Sequence, residues 1–99
     1  MKIIEKTNGN ELIVSLEGRL DTTTAPELEK VFAGGLDGVT ELTIDMGALD
    51  YLSSAGLRIL LGAQKRMNKQ GSMKVTNVNE TIMEIFEVTG FADILTIES

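Results

Sequence analysis

The chain has 99 residues, a formal charge of −6 from 9 Lys and Arg against 15 Asp and Glu, 42% apolar content, and neither cysteine nor histidine. That length makes one domain, residues 1–99, of ordinary globular composition, while the missing residue types remove disulfides, thiolate nucleophiles, cysteine-based metal sites and Ser-His-Asp catalysis, so no metal, cofactor or catalytic residue is expected. No run of about 18 apolar residues could cross a membrane, and Met1-Lys2-Ile3-Ile4-Glu5 turns polar too soon for a signal peptide, which predicts a cytoplasmic protein without membrane insertion.

Lys2–Thr7 and Glu11–Glu17 flank Asn8-Gly9-Asn10, and Asn-Gly between apolar-rich runs predicts an antiparallel hairpin. In the second strand Leu12, Val14 and Leu16 share one face. Gly18–Thr23 reads as a loop, and Thr24-Ala25-Pro26-Glu27 as a capping box with proline in the first turn of a helix. Leu28, Val31, Phe32 and Leu36 give that helix its apolar stripe, and Gly34-Gly35 end it. Thr40–Met46 alternates Leu42, Ile44 and Met46 inward and predicts a third strand. A second helix begins at Ser53-Ser54, carries Leu57, Leu60 and Leu61, and stops at Gly71 in the expected left-handed conformation. Met73–Val78 predicts a fourth strand, Asn79 caps a helix bearing Ile82, Ile85 and Phe86, Gly90 terminates it, and Ile94–Ile97 supplies a last strand. The order β-β-α-β-α-β-α-β predicts an α/β domain: a mixed, mostly parallel β-sheet with an N-terminal antiparallel hairpin and about three packed helices.

The adjacent serines are the most informative residues. They sit where a strand and loop give way to a helix, so Ser53 or Ser54 caps it, and the free N–H groups and positive dipole end there favour an anion. The strands before and after the first helix are predicted to be parallel, which brings the Asp21 loop and the Ser53-Ser54 loop to one edge, where open α/β sheets bind their ligands. Charge is asymmetric as well. Tyr51 to Asn79 contains no acid but carries Arg58, Lys65, Arg66, Lys69 and Lys74, a local +5 that leaves −11 on the rest. Overall acidity and the lack of interleaved aromatics argue against nucleic acid. A serine-centred enzyme lacks its base, because Lys65 lies about three helical turns, roughly 16 Å, from Ser54.

Gly18-Arg19-Leu20-Asp21, Leu42–Leu52 and Ser53–Leu61, together with the Gly90-Phe91 stop, are similar in order and spacing to the STAS domain, the fold of bacterial anti-sigma-factor antagonists. The resemblance spans nearly the whole chain. In phosphoswitch members the signature is similar to Asp-Ser-(Ser/Thr)-Gly-Leu-Gly, and its serine is phosphorylated by the partner anti-sigma factor, a serine kinase. Aligned on Gly56-Leu57, that serine corresponds to Ser54, with Ser53 the less favoured acceptor. Ser53 stands in place of the aspartate, Ala55 in place of the second hydroxyl residue and Arg58 in place of the second glycine. The resemblance therefore implies a bacterial partner-switching protein that binds an anti-sigma factor through Asp21, Thr22, Ser53, Ser54, Ala55, Gly56 and Arg58, and so releases a sigma factor. The alternative it allows is a non-switching STAS module of a transporter or lipid-transport assembly.

Overall fold

Gly9, at φ +62°, takes the first of two loop positions between β1 (Lys2–Asn8) and β2 (Glu11–Leu20), a conformation that favours glycine, and sets the antiparallel register Asn8↔Glu11 to Lys2↔Glu17. The computed structural model describes residues 1–98. After β2 follow α1 (Ala25–Gly35), β3 (Glu41–Leu52), α2 (Ser54–Gln70), β4 (Ser72–Thr76), α3 (Glu80–Thr89), a 3-10 turn (Phe91–Asp93) and β5 (Ile97–Glu98). Among the described residues the strands form one sheet in the order β1-β2-β3-β4-β5, with β2 to β5 parallel.

The core is built by the alternation seen in the sequence. Leu12, Val14 and Leu16 of β2, Leu42, Ile44 and Met46 of β3, and Met73 and Val75 of β4 are all buried, together with Leu28, Leu60, Met67, Ile82 and Phe86 of the helices. The intervening residues Thr43, Asp45, Lys74 and Thr76 remain half-buried or exposed. All three helices therefore cover the same face of the sheet, as equal-handed crossovers between sequential parallel strands require.

Several boundaries differ from expectation, each for a visible reason. β3 runs to Leu52 rather than Met46, because its register against β2 shifts between Ser15/Glu17 and between Gly18/Arg19. Those irregularities advance the strand's phase, so Leu49 and Leu52 point inward three residues apart instead of two. β2 likewise continues through the supposed loop to Leu20, with Gly18 at φ +101°. β4 begins at Ser72 and ends at Thr76, because Asn77 turns the chain away at φ +56°. Ile94 is helical in backbone and the Leu95 N–H bonds to the Phe91 carbonyl, so the last strand shrinks to two residues.

Two capping expectations are also corrected. Gly71 is extended, at φ 174°, not left-handed. It is glycine for space, since a Cβ there would run into the Thr40 carbonyl. Thr24 makes no capping bond to α1. Its hydroxyl donates to the Arg19 carbonyl at 2.7 Å, while Asp21 Oδ1 accepts the N–H groups of Thr23 and Thr24 at 3.0 and 3.1 Å. Asn79 and Gly90 bracket α3 as expected: Asn79 Oδ1 accepts from Ile82 N at 2.9 Å, and Gly90 is left-handed at φ +81°.

Candidate functional site

The site grows from the ends of β2 and β3. Leu20 and Leu52 are paired in register, and the Ser53 N–H donates to the Leu20 carbonyl at 2.9 Å, which carries the chain directly from the sheet into α2. Gly56, in the first turn, packs against these leucines: a Cβ would lie 2.6 Å from Leu20 Cγ and 2.8 Å from Leu52 Cδ1. The glycine thus lets the helix N-terminus seat on the strand ends.

The two serines divide their work. Ser53 is the cap, with an extended backbone and its Oγ accepting from the Gly56 N–H at 3.4 Å, while its carbonyl takes the Leu57 N–H at 3.0 Å. Ser54 is the first helical residue and is exposed. Its hydroxyl is not used in capping, so it lies at the positive end of the helix dipole free to exchange partners. Arg58, also exposed, follows one turn later on the same face, and no ion pair holds it among the described residues.

Asp21 lies at the same edge, as the parallel pairing predicted, but its carboxylate is engaged. Oδ1 accepts from the Thr23 hydroxyl at 2.7 Å as well as from the two N–H groups, and Arg19 Nε stands 3.7 Å from Oδ2. The Thr23 hydroxyl, with the Thr24 and Thr23 backbone N–H groups, holds the acid below its ordinary value of 3.8, against a partial desolvation that acts the other way. Thr22 and Thr23 are exposed beside it. One feature escaped the sequence reading. Arg19, next to Tyr51 in register, lays its guanidinium 4.3 Å from the ring centroid and adds an exposed cationic stack to this edge. It became visible only once β2 and β3 were known to extend so far.

The edge as a whole offers hydroxyls, helix N–H groups and cations for recognition. Of the titratable groups considered for activating Ser54, Asp21 is engaged by its own turn, and Lys65 and Lys69 are farther along α2. No three Asp or Glu side chains converge as metal ligands would among the described residues. No helix among them is long and apolar enough to cross a membrane.

The model of the family described as STAS domain matches residues 2–99. The chain belongs to the STAS family. This STAS domain is 32% identical over 95 residues to the anti-sigma-B factor antagonist of Bacillus subtilis, a match that covers 95% of this chain and 87% of that protein. The crystal structure of an anti-sigma factor antagonist from Mycobacterium paratuberculosis superposes with a TM-score of 0.87 at 26% identity, covering 98% of this chain and 84% of the other. The fold is also that of Bacillus SpoIIAA in its phosphorylated form, with a TM-score of 0.77 at 16% identity over 99% of this chain and 92% of that one.

Proposed function

We propose that this STAS domain is an anti-sigma factor antagonist switched by phosphorylation. Unmodified, it binds an anti-sigma factor at the edge formed by Asp21, Thr22 and Ser53 through Gly56, with Arg58 beside it, and thereby frees a sigma factor. The anti-sigma factor is a serine kinase, and Ser54 is its acceptor. The domain itself performs no catalysis.

The observation that carries this reading is the division between the serines. Because Ser53 caps α2, Ser54 can gain about −1.5 to −2 charges on phosphorylation without removing a structural hydrogen bond. The phosphate would stand at a helix N-terminus, which tolerates negative charge. The fold stays intact while the contact surface changes sign locally. The names of its relatives agree, and one of the structures with its fold has a phosphorylated form.

Ser53 also supports a second reading. It replaces the aspartate of phosphoswitch relatives, so the same edge could serve a constitutive binding module. Affinity capture from the native cell extract, followed by incubation of the captured partner with ATP and mapping of phosphate, separates the two. Phosphate on Ser54, binding lost in Ser54→Asp and binding kept in Ser54→Ala establish the switch. Tight binding to an anti-sigma factor with neither serine modified refutes it and leaves the constitutive module.

A further inference from the structure

Ser54 opens α2 and Arg58 follows four residues later, so the two side chains rise from one face of the helix with Cβ atoms about 5–6 Å apart. Side chains on a helix lean toward its N-terminus, which carries the Arg58 stem back over the turn that holds Ser54. Both residues are exposed. The Ser54 hydroxyl takes no part in the cap, which Ser53 Oγ makes with the Gly56 N–H.

Arg58 is also the cation left available there. Arg19 lies over the Tyr51 ring with its Nε 3.7 Å from Asp21 Oδ2, and Arg66 is paired with Asp37 at 2.6 Å. Lys65 stands roughly 16 Å along the helix from Ser54, beyond contact. Among the described residues Arg58 has no ion pair: Glu29 of α1 lines the same hollow without pairing with it, and Asp21 Oδ1 is held by its own turn. No acid between Tyr51 and Asn79 competes for it along the helix. An anion four residues before a cation is the favourable order for such a pair. In this chain Ser54 supplies that anion only when it is phosphorylated.

We infer that Arg58 clamps the phosphate of Ser54, so that one covalent event changes two contact residues. The inference rests on the phosphoswitch reading and gives the modified state its positioning residue. The kinase moves the γ-phosphoryl group of ATP to Ser54 Oγ, releasing ADP and the hydroxyl proton. The guanidinium then meets the phosphate through two N–H···O bonds and is drawn away from the partner. A dianion gains more from the cation than a monoanion does, so the clamp lowers the second pKa of the phosphate from its ordinary value of about 6.

The test uses the full chain with phosphoserine installed at position 54 during its synthesis, which needs no kinase, and follows the phosphate by phosphorus NMR as pH is varied. The second pKa is expected to lie about 0.3 pH unit higher in Arg58→Ala than in the chain with Arg58. Arg58→Lys should keep part of that difference, since lysine supplies the charge without the fork. Lys65→Ala, the same loss of charge out of reach, should leave the pKa where it was. The Arg58 Nε–H resonance should move with the phosphate titration, and both effects should shrink in 1 M salt, where the screening length is about 3 Å. An identical pKa with and without Arg58, or an equal displacement by Lys65→Ala, overturns the clamp. If the captured anti-sigma factor phosphorylates Ser54 all the same, the switch stands without it. Failure of that partner to phosphorylate Ser54 overturns the switch, and with it the role given to Arg58, whatever the installed phosphate does.

Discussion

Two glycines of α2 should respond in opposite directions to the same substitution. Gly56 is buried with Leu20 Cγ 2.6 Å and Leu52 Cδ1 2.8 Å from where a Cβ would sit, and the first of these is a branch carbon of a fully buried side chain. Gly56→Ala must therefore displace the helix N-terminus or both leucines, an overpacking that costs about 1–3 kcal/mol. Better helix propensity returns less than about 1 kcal/mol at this first-turn position, so the net loss centres on about 1–2 kcal/mol. At about 4–8 °C per kcal/mol for a domain of this size, the melting temperature should fall by roughly 5–15 °C. Gly62, six positions later on the same helix, has open space where its Cβ would be. Gly62→Ala should gain about 0.5–1 kcal/mol from reduced unfolded-state freedom and raise the melting temperature by a few degrees. Thermal unfolding followed by circular dichroism on both variants decides the matter. A Gly56→Ala protein that melts at or above wild type would mean that the strand ends do not grip the helix in the way described, and a destabilised Gly62→Ala protein would mean that the space beside Gly62 is not open.

Gln64 is 7% exposed and its Oε1 is buried without a hydrogen-bond partner, although Nε2 bonds to Asn68 at 2.8 Å. Since an unsatisfied buried acceptor costs about 1–3 kcal/mol, Gln64→Met should raise the urea midpoint by the equivalent of about 1 kcal/mol after loss of the Asn68 bond, and a lower midpoint would contradict that. The Asp21 acid is depressed in the folded state, so its stabilising contribution is complete above its ordinary value of 3.8 and disappears as pH falls through the lower folded value. Thr23→Val removes the largest cause and should move the Asp21 titration, followed by carboxyl NMR, back up toward that ordinary value; an unmoved titration would count against the Thr23 hydroxyl. Arg58→Glu should weaken binding to the anti-sigma factor with the melting temperature nearly unchanged, because Arg58 has no ion pair to lose among the described residues. A large drop in melting temperature would instead show that its aliphatic stem packs on the fold.

Chain order, strand direction and the core were legible because short-period patterns carry them: Leu12-Val14-Leu16 and Leu42-Ile44-Met46 need no knowledge of their partners. The second half of β3 was not legible. Its inward residues Leu49 and Leu52 are out of phase with Leu42 and Met46, and only the register against β2 restores the pattern. The same limit hid the Arg19–Tyr51 stack, which depends on two strands extending together. Capping failed at Thr24 because its N–H and hydroxyl are claimed by Asp21 and Arg19, competitors that local sequence cannot rank. Gly71 was recognised as a stop but for the wrong reason, since its constraint comes from Thr40, distant in the chain. At the site, the shared edge of Asp21 and the serines followed from topology alone, whereas which serine caps and which stands free required the geometry of a single turn.

Spatial strand order repeats chain order from β1 to β5, and that has a consequence for how the molecule comes into being. Each new strand finds its neighbour already made: the hairpin closes on itself, and every later strand adds to the growing edge after one helix. No segment has to wait for a distant C-terminal partner, so the long loop closures that slow many β-rich proteins are avoided. During synthesis the sheet can widen one strand at a time as the chain emerges. The last addition is also the smallest, two residues of β5 paired to Val75 and Thr76. Growth thus ends on the least securely fastened edge, and hydrogen exchange should find that edge opening well before the β2–β3 pair from which Ser53 and Ser54 depart.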